Sequence, residues 1–258
     1  MSTSAPLTLT NGRLILPDGS VSPGAIRCEK GHIVAVGDVS PQPGDRVHDA
    51  RGMVIAPGLV DLGVFAIDKP AFHFGGITRA ALMPDQSPPL DVSARVRFAA
   101  QSGKPDLWVH PLAAATRDLG GELLAEIAMM RDAGARAVST GRGWIADSGT
   151  MLRLLQYTGM LGLVVCTHAE DSGITGYAVA TSGEMATRLG LRAAPAAAEA
   201  LAITRDMSLA ELAGASIHFR NVTTAAGLDL VRAAKARGLA VTCGVSPAYF
   251  MLSDLAMA

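Results

Sequence analysis

Ala56-Pro57-Gly58-Leu59-Val60-Asp61-Leu62-Gly63-Val64-Phe65 is where the chain changes character. Upstream, short β-prone runs alternate with turn chemistry: Asn11-Gly12, Asp18-Gly19 and Lys30-Gly31 punctuate Arg13-Leu14-Ile15-Leu16, Ala25-Ile26-Arg27-Cys28 and His32-Ile33-Val34-Ala35-Val36-Gly37. Such alternation predicts antiparallel hairpins, and so a small β domain over 1–55 that is too small to be very stable alone. Downstream the rhythm becomes strand, loop, helix. Strands are expected at 59–65, 77–83, 107–112, 135–140, 163–168, 216–222 and 239–245. Helices are expected at 92–101, 121–133, 148–161, 196–213 and 225–237, with Leu123, Leu124, Ile127 and Met130 at helical spacing in the second.

Strands alternating with helices of this length imply βαβ units and a parallel sheet, and seven such strands fit a (β/α)8 barrel over 56–258 better than an open sheet. Pro57-Gly58 and Asp61 mark its entry, with Asp61 expected to cap or orient strand-end loops. Two irregularities stand out. Eleven residues separate Phe65 from Ile77, too few for an ordinary crossover helix. The pattern also ends after its seventh strand, so the barrel is expected to be incomplete at its C-terminal end. Unpaired strand edges invite another chain. A partner is expected to cover them, or else the chain is a fragment of a longer polypeptide.

The 22 basic and 23 acidic side chains leave a net charge of -1, which implies no polyanion partner. Aromatic content of 4% against 49% apolar leaves little to stack on bases, so nucleic acid is set aside as a ligand. Cys28, Cys166 and Cys243 are far apart in apolar runs and read as buried thiols in a reducing compartment. Met1-Ser2-Thr3-Ser4-Ala5-Pro6 lacks a basic region followed by an apolar one, and the apolar run 161–166 stops at Thr167-His168. The expectation is a cytoplasmic protein with no membrane span, and the mean hydropathy of +0.31 hints at extensive subunit contact.

Several ordered blocks carry a resemblance: the Pro-Gly-apolar-apolar-Asp core at 57–61; Gly75-Gly76-Ile77-Thr78 with Met83-Pro84-Asp85-Gln86-Ser87-Pro88; Cys166-Thr167-His168-Ala169-Glu170-Asp171; Leu189-Gly190-Leu191 through Pro195, Ala198-Glu199, Arg205-Asp206 and Leu209-Ala210-Glu211; and Val241-Thr242-Cys243-Gly244-Val245-Ser246-Pro247. In these the chain resembles dihydroorotase and the other cyclic amidohydrolases, and within them the catalytically degenerate homologues most of all. The resemblance implies a TIM barrel of the amidohydrolase superfamily. The family's reaction is reversible opening and closing of a cyclic amide, in which a metal activates water and polarises the ring carbonyl while an aspartate moves the proton.

The family's His-x-His metal pair aligns with Gly63 and Phe65, neither of which can ligate. Its substrate-gripping arginine aligns with Ile67, and its substrate-contacting asparagine with Asp85. The fourth strand, where relatives carry a bridging aspartate or carboxylated lysine, ends Val138-Ser139-Thr140-Gly141-Arg142. The fifth strand keeps His168. In the sixth, Arg220-Asn221-Val222-Thr223-Thr224, Asn221 takes the ligand column, and a neutral amide is a poor zinc ligand. Catalytic zinc needs about three protein ligands, so His168 alone is a vestige and no metal, cofactor or catalytic residue is expected.

Other polar residues have plainer readings. His110 and His218 sit on expected strands, with His218 facing away from the ligand column, and no spacing supports a site improvised from Asp61, His110, His168 and Asp171. Gly141-Arg142-Gly143 reads as a tight βα loop rather than an anion loop. Ser139, Thr140 and Ser148 lack a histidine at triad spacing. Met129-Met130 and 193–202 read as core and helix surface. The resemblance therefore implies a pseudoenzyme of pyrimidine biosynthesis, a structural or regulatory partner of aspartate transcarbamoylase or a self-associating subunit. The alternative is a divergent active cyclic amidohydrolase, which alone would require zinc.

Overall fold

The computed structural model describes residues 5–257. The chain divides into two compact units, one running to Leu59 and the other starting at Val60.

The first unit is a five-stranded sheet of β1 (Leu7–Ile15), β2 (Val21–Glu29), β3 (His32–Gly37), β4 (Arg46–Asp49) and β5 (Val54–Ile55). β1, β2 and β3 pair antiparallel, as the turn residues predict, but β4 and β5 both run parallel to β1. Lys30 (φ 51°) and Gly31 (φ 79°) make the β2–β3 turn in the left-handed region that suits the twist of a hairpin. Asn11-Gly12 is no turn. It is an irregularity within β1, where the register to β2 shifts between Leu9 and Gly12. A Cβ on Gly12 would fall 2.2 Å from Ile55 Cδ1, so the glycine serves the approach of β5 and not a reversal of the chain. Inside the sheet, Arg27 grips Asp45 through Nε and Nη2 at 2.9 and 3.0 Å, and Thr8 Oγ1 donates to the same carboxylate at 2.7 Å. These donors hold the Asp45 carboxyl well below the usual carboxylate range.

The second unit contains β6 (Leu59–Val64), α1 (Lys69–Phe74), β7 (Ile77–Leu82), α2 (Ser93–Ala99), β8 (Trp108–Ala114), α3 (Ile127–Asp132), β9 (Ala137–Ser139), α4 (Ser148–Met160) and β10 (Val165–His168). An excursion follows, α5 (Ser172–Thr175), β11 (Ala180–Thr181), α6 (Glu184–Arg188) and β12 (Ala193–Ala194), and then α7 (Ala197–Ala213), β13 (Ile217–Arg220), α8 (Ala225–Ala236), β14 (Val241–Cys243) and α9 (Ala248–Met251). The seven long-range strands form one sheet in chain order, β6-β7-β8-β9-β10-β13-β14, curled as a half-barrel with helices outside. Each strand pair from β7 to β14 is parallel.

Strand alternation divides the interior in two. Ala80, Val109, Val138, Val165, Ile217 and Phe219 point outward into the main core, against Val96, Ile127, Met130, Leu154, Leu155 and Ile203 on the helices. Ala81, Met83, Leu112, Ala137 and Cys166 point inward and form a second, smaller cluster. Helix α4 forms because Met151, Leu154, Leu155 and Thr158 share one face, and the Asp147 side chain accepts the Thr150 N–H at 2.6 Å to cap it.

One expected helix needs correcting. Residues 121–126 are not helical: Leu124 bridges Thr116, Arg117 N donates to Leu123 O at 2.8 Å and Ala125 N to Ala115 O at 3.1 Å, so the segment runs back along the end of β8 before α3 begins. Tertiary pairing overrides helical spacing there. The short Phe65–Ile77 connection holds no ordinary crossover helix, as its length predicts, but a six-residue one, α1, capped by Asp68 and with Pro70 in its first turn. Of the three cysteines only Cys166 is buried; Cys28 and Cys243 are partly exposed. No helix among the described residues is long and apolar enough to cross a membrane.

Candidate functional site

In a parallel barrel the C-terminal ends of the strands gather side chains from different strands into one crater, which is where chemistry is placed. Here the inward row consists of Gly63 and Phe65 at the end of β6, Met83 and Asp85 after β7, Ser139 at the end of β9, Cys166 and His168 on β10, and His218 and Arg220 on β13. Arg220 is the register partner of His168, so the two stand side by side.

Arg220 dominates the crater. It is 9% exposed. Its Nη1 donates to Gly141 O at 3.0 Å and its guanidinium carbon lies 5.4 Å from the centre of the Phe65 ring. Gly63 lies next to it, where a Cβ would make an ordinary contact at 3.7 Å from Arg220 Nε. The guanidinium of Arg142 covers the same ring at 4.0 Å. Asp85 completes the group, its Oδ1 accepting the Arg142 N–H at 2.9 Å while its Oδ2 is buried without a partner. Gly141 lets that loop close over Asp85, since a Cβ there would lie 2.8 Å from Asp85 Oδ1 and its φ is 75°. Burial disfavours the charge on Arg220, the Asp85 carboxylate opposes this, and the neighbouring Arg142 adds a smaller disfavour. Burial also pushes the Cys166 thiol up to about 11, so it is neutral near pH 7.

His168 Nε2 lies 3.1 Å from Glu170 Oε2, and its Nδ1 is buried without a partner. Its backbone N donates to Thr140 Oγ1 at 3.4 Å. Asn221 follows the last residue of β13 with φ 51°, so the chain turns there and the side chain leaves the strand row. His168, Glu170 and Asn221 instead line a cleft of about 860 Å³ bordered by 178–183 and by Tyr249 and Leu252. Ile67 packs on the main core. His218 does not face away: it shares the Arg220 face, bonds Thr242 Oγ1 through Nδ1 at 2.8 Å, and is pushed to lower pKa by burial and by Arg220. His110 lies toward the other end of its strand, 3.4 Å from Arg79 Nη1. Asp61 accepts the Gly63 N–H at 3.0 Å, and Asp171 caps α5 through the Gly173 and Ile174 N–H groups. Asp61, His110, His168 and Asp171 are thus separately engaged. Among the described residues no three His, Cys, Asp or Glu side chains gather within ligating range of one another.

The long resembling block on α7 serves a different end. Asp206 is fully buried and accepts from Arg205 Nε at 2.8 Å, Trp144 Nε1 at 3.1 Å and Thr167 Oγ1 at 3.5 Å. Arg205 also donates to Ile145 O and Ala146 O at 2.7 and 2.8 Å and lies 3.8 Å over the Trp144 ring. The pair ties the β9–α4 loop to α7 and β10. Glu199 does the same for the loop after β13: its two oxygens accept from the N–H and the hydroxyl of both Thr223 and Thr224, at 2.5 to 3.0 Å, and Thr224 in turn caps α8.

Arg220 was missed from sequence because the ligand column was placed on its neighbour. Alternation counted from Ile217 and Phe219, both apolar, sends His218 and Arg220 inward and finds it.

The chain path is similar to that of the hydantoinases. L-hydantoinase (dihydropyrimidinase) from Arthrobacter aurescens superposes with a TM-score of 0.77 at 25% identity, covering 96% of this chain and 59% of that one. A D-hydantoinase gives the same TM-score at 21% identity and shows the fold alone. The chain itself belongs to the dihydroorotase-like family, whose pattern matches residues 52–226. The dihydroorotase of Pelotomaculum thermopropionicum is 39% identical over 241 residues, 88% of this chain and 56% of that protein. That of Syntrophotalea carbinolica is 35% identical over 267 residues, 96% of this chain and 62% of that protein. The chain thus spans less than two thirds of the length of these curated relatives.

Proposed function

We propose that this chain is a dihydroorotase-like pseudoenzyme of pyrimidine biosynthesis, a cytoplasmic, non-catalytic subunit that acts as structural or regulatory partner of aspartate transcarbamoylase. The observation that carries the reading is the buried Arg220 guanidinium standing beside His168, over Phe65 and against Gly63. A fixed cation in the row where the resemblance implies metal ligands repels a divalent ion, and among the described residues no three His, Cys, Asp or Glu side chains gather there as ligands. The donor set does not fit zinc. Cys166, the thiol on the same inner face, is held neutral near pH 7 and offers no nucleophile there.

The partner reading rests on the helical exterior. Leu201 (54%) and Leu212 (72%) on α7 are exposed, and Leu201 borders an apolar groove with Ala197, Ala200, Leu230 and Ala233. Co-expression with aspartate transcarbamoylase tests it directly. A stoichiometric complex is expected, and separate elution of a monomer beside fully assembled transcarbamoylase sinks the proposal.

One observation favours the second reading, an active divergent cyclic amidohydrolase. Glu170 engages one nitrogen of His168 and leaves the other buried and unpartnered, as the carboxylate behind a metal-bound histidine does. That reading requires bound zinc and turnover of a cyclic amide that is lost in His168→Ala.

A further inference from the structure

We infer that the strand-end crater is a binding site for a small oxyanion, a carboxylate or a phosphate, with Arg220 and Arg142 as its charged contacts. Arg220 is more than nine-tenths buried, yet among the described residues it makes no ion pair; Gly141 O is its hydrogen-bond acceptor. A guanidinium carries five N–H groups, so most of its donors are left for something else. Removing such a charge from water without a counter-ion is unfavourable, and folded proteins pair or ligand such groups.

The charge count around it does not close. Arg142 stands over the same Phe65 ring, and the carboxylate facing both arginines is Asp85, already turned toward the Arg142 backbone by its Oδ1. Cys166 shares the inner face with Arg220 but contributes no charge as a thiol, and His218 is disfavoured as a cation. Two guanidinium groups against one carboxylate leave an excess positive charge at the strand ends. Phe65 supplies the platform: a guanidinium stacked on a ring keeps its in-plane N–H groups for acceptors, the geometry that suits planar carboxylates and phosphates.

The inference rests on the reading of the crater as metal-free, so the test uses chelator-treated protein. The full chain is titrated with sodium acetate and with sodium phosphate at constant ionic strength made up with chloride, and thermal unfolding and titration calorimetry are followed. A saturable rise in melting temperature with either anion is expected. Response to acetate alone points to a carboxylate ligand, and response to phosphate alone to a phosphate. Arg142→Gln, an exposed position whose backbone contact to Asp85 is unchanged, should weaken binding about tenfold, and Arg220→Gln should abolish it while circular dichroism stays native. A response no larger than that of chloride, or one unchanged in Arg142→Gln, overturns the site. A response found in the untreated protein and removed by the chelator would overturn the metal-free reading instead.

Discussion

Arg205 and Arg220 are both held against an aromatic ring near the strand ends, and their surroundings could hardly differ more. Arg205 covers Trp144, pairs with the buried Asp206 and donates to two loop carbonyls. Arg220 lies by Phe65 with one carbonyl. In the first region every charge has its complement, and the network does structural work: it fixes the β9–α4 loop on α7. In the second region a charge is buried without such a complement, which does not stabilise a fold. The contrast separates the part of the strand-end face that serves the fold from the part that is left for a ligand or for nothing.

Breaking the first region should have the largest effect. Asp206→Ala removes the acceptor for Arg205, Trp144 and Thr167 and should cost about 3 kcal/mol in chemical denaturation. Glu199→Ala frees four donors on Thr223 and Thr224 and should cost about 2 kcal/mol. Arg220→Met should run the other way, leaving stability unchanged or raised by about 1 kcal/mol, since an apolar side chain of similar volume replaces an unpaired buried cation. A loss as large as that of Asp206→Ala would erase the distinction.

A smaller effect reads the same contrast through pH. Burial pushes the Asp206 carboxyl above its ordinary 3.8, against the pull of Arg205. A folded pKa above the unfolded one contributes stability below the unfolded value, and that contribution is lost as pH rises through the folded pKa. The stability of the wild type relative to Asp206→Asn should therefore fall as pH rises from about 4. A flat difference would show that Arg205 cancels the burial.

Much of the architecture was legible because it depends on periodicity. All seven barrel strands and four of the five expected long helices form where apolar spacing places them. The failures have a common cause. Leu123 and Leu124 have helical spacing, but their backbone pairs with the segment after β8, a contact that local spacing does not encode. Asn11-Gly12 has the chemistry of a hairpin turn, but a positive φ at Asn11 also serves a bulge, and Ile55 needs the space beside Gly12. In the crater, the Gly63, Phe65 and Asn221 columns could be aligned one at a time. That Arg220 stands beside them depends on which residue of β13 turns inward, a matter of strand register that column-by-column alignment does not encode. The structural duty of Glu199 and Asp206 was hidden for a similar reason, since their partners other than Arg205 lie 24 to 62 residues away in sequence.

On the proposed reading a fixed cation stands at the strand ends in place of a metal. Zinc content of the purified chain, measured together with dihydroorotate turnover, decides between that cation and a metal site. Substoichiometric zinc that chelator removes without loss of structure, and no turnover, are expected. One zinc per chain, with turnover abolished in His168→Ala, overturns the proposal.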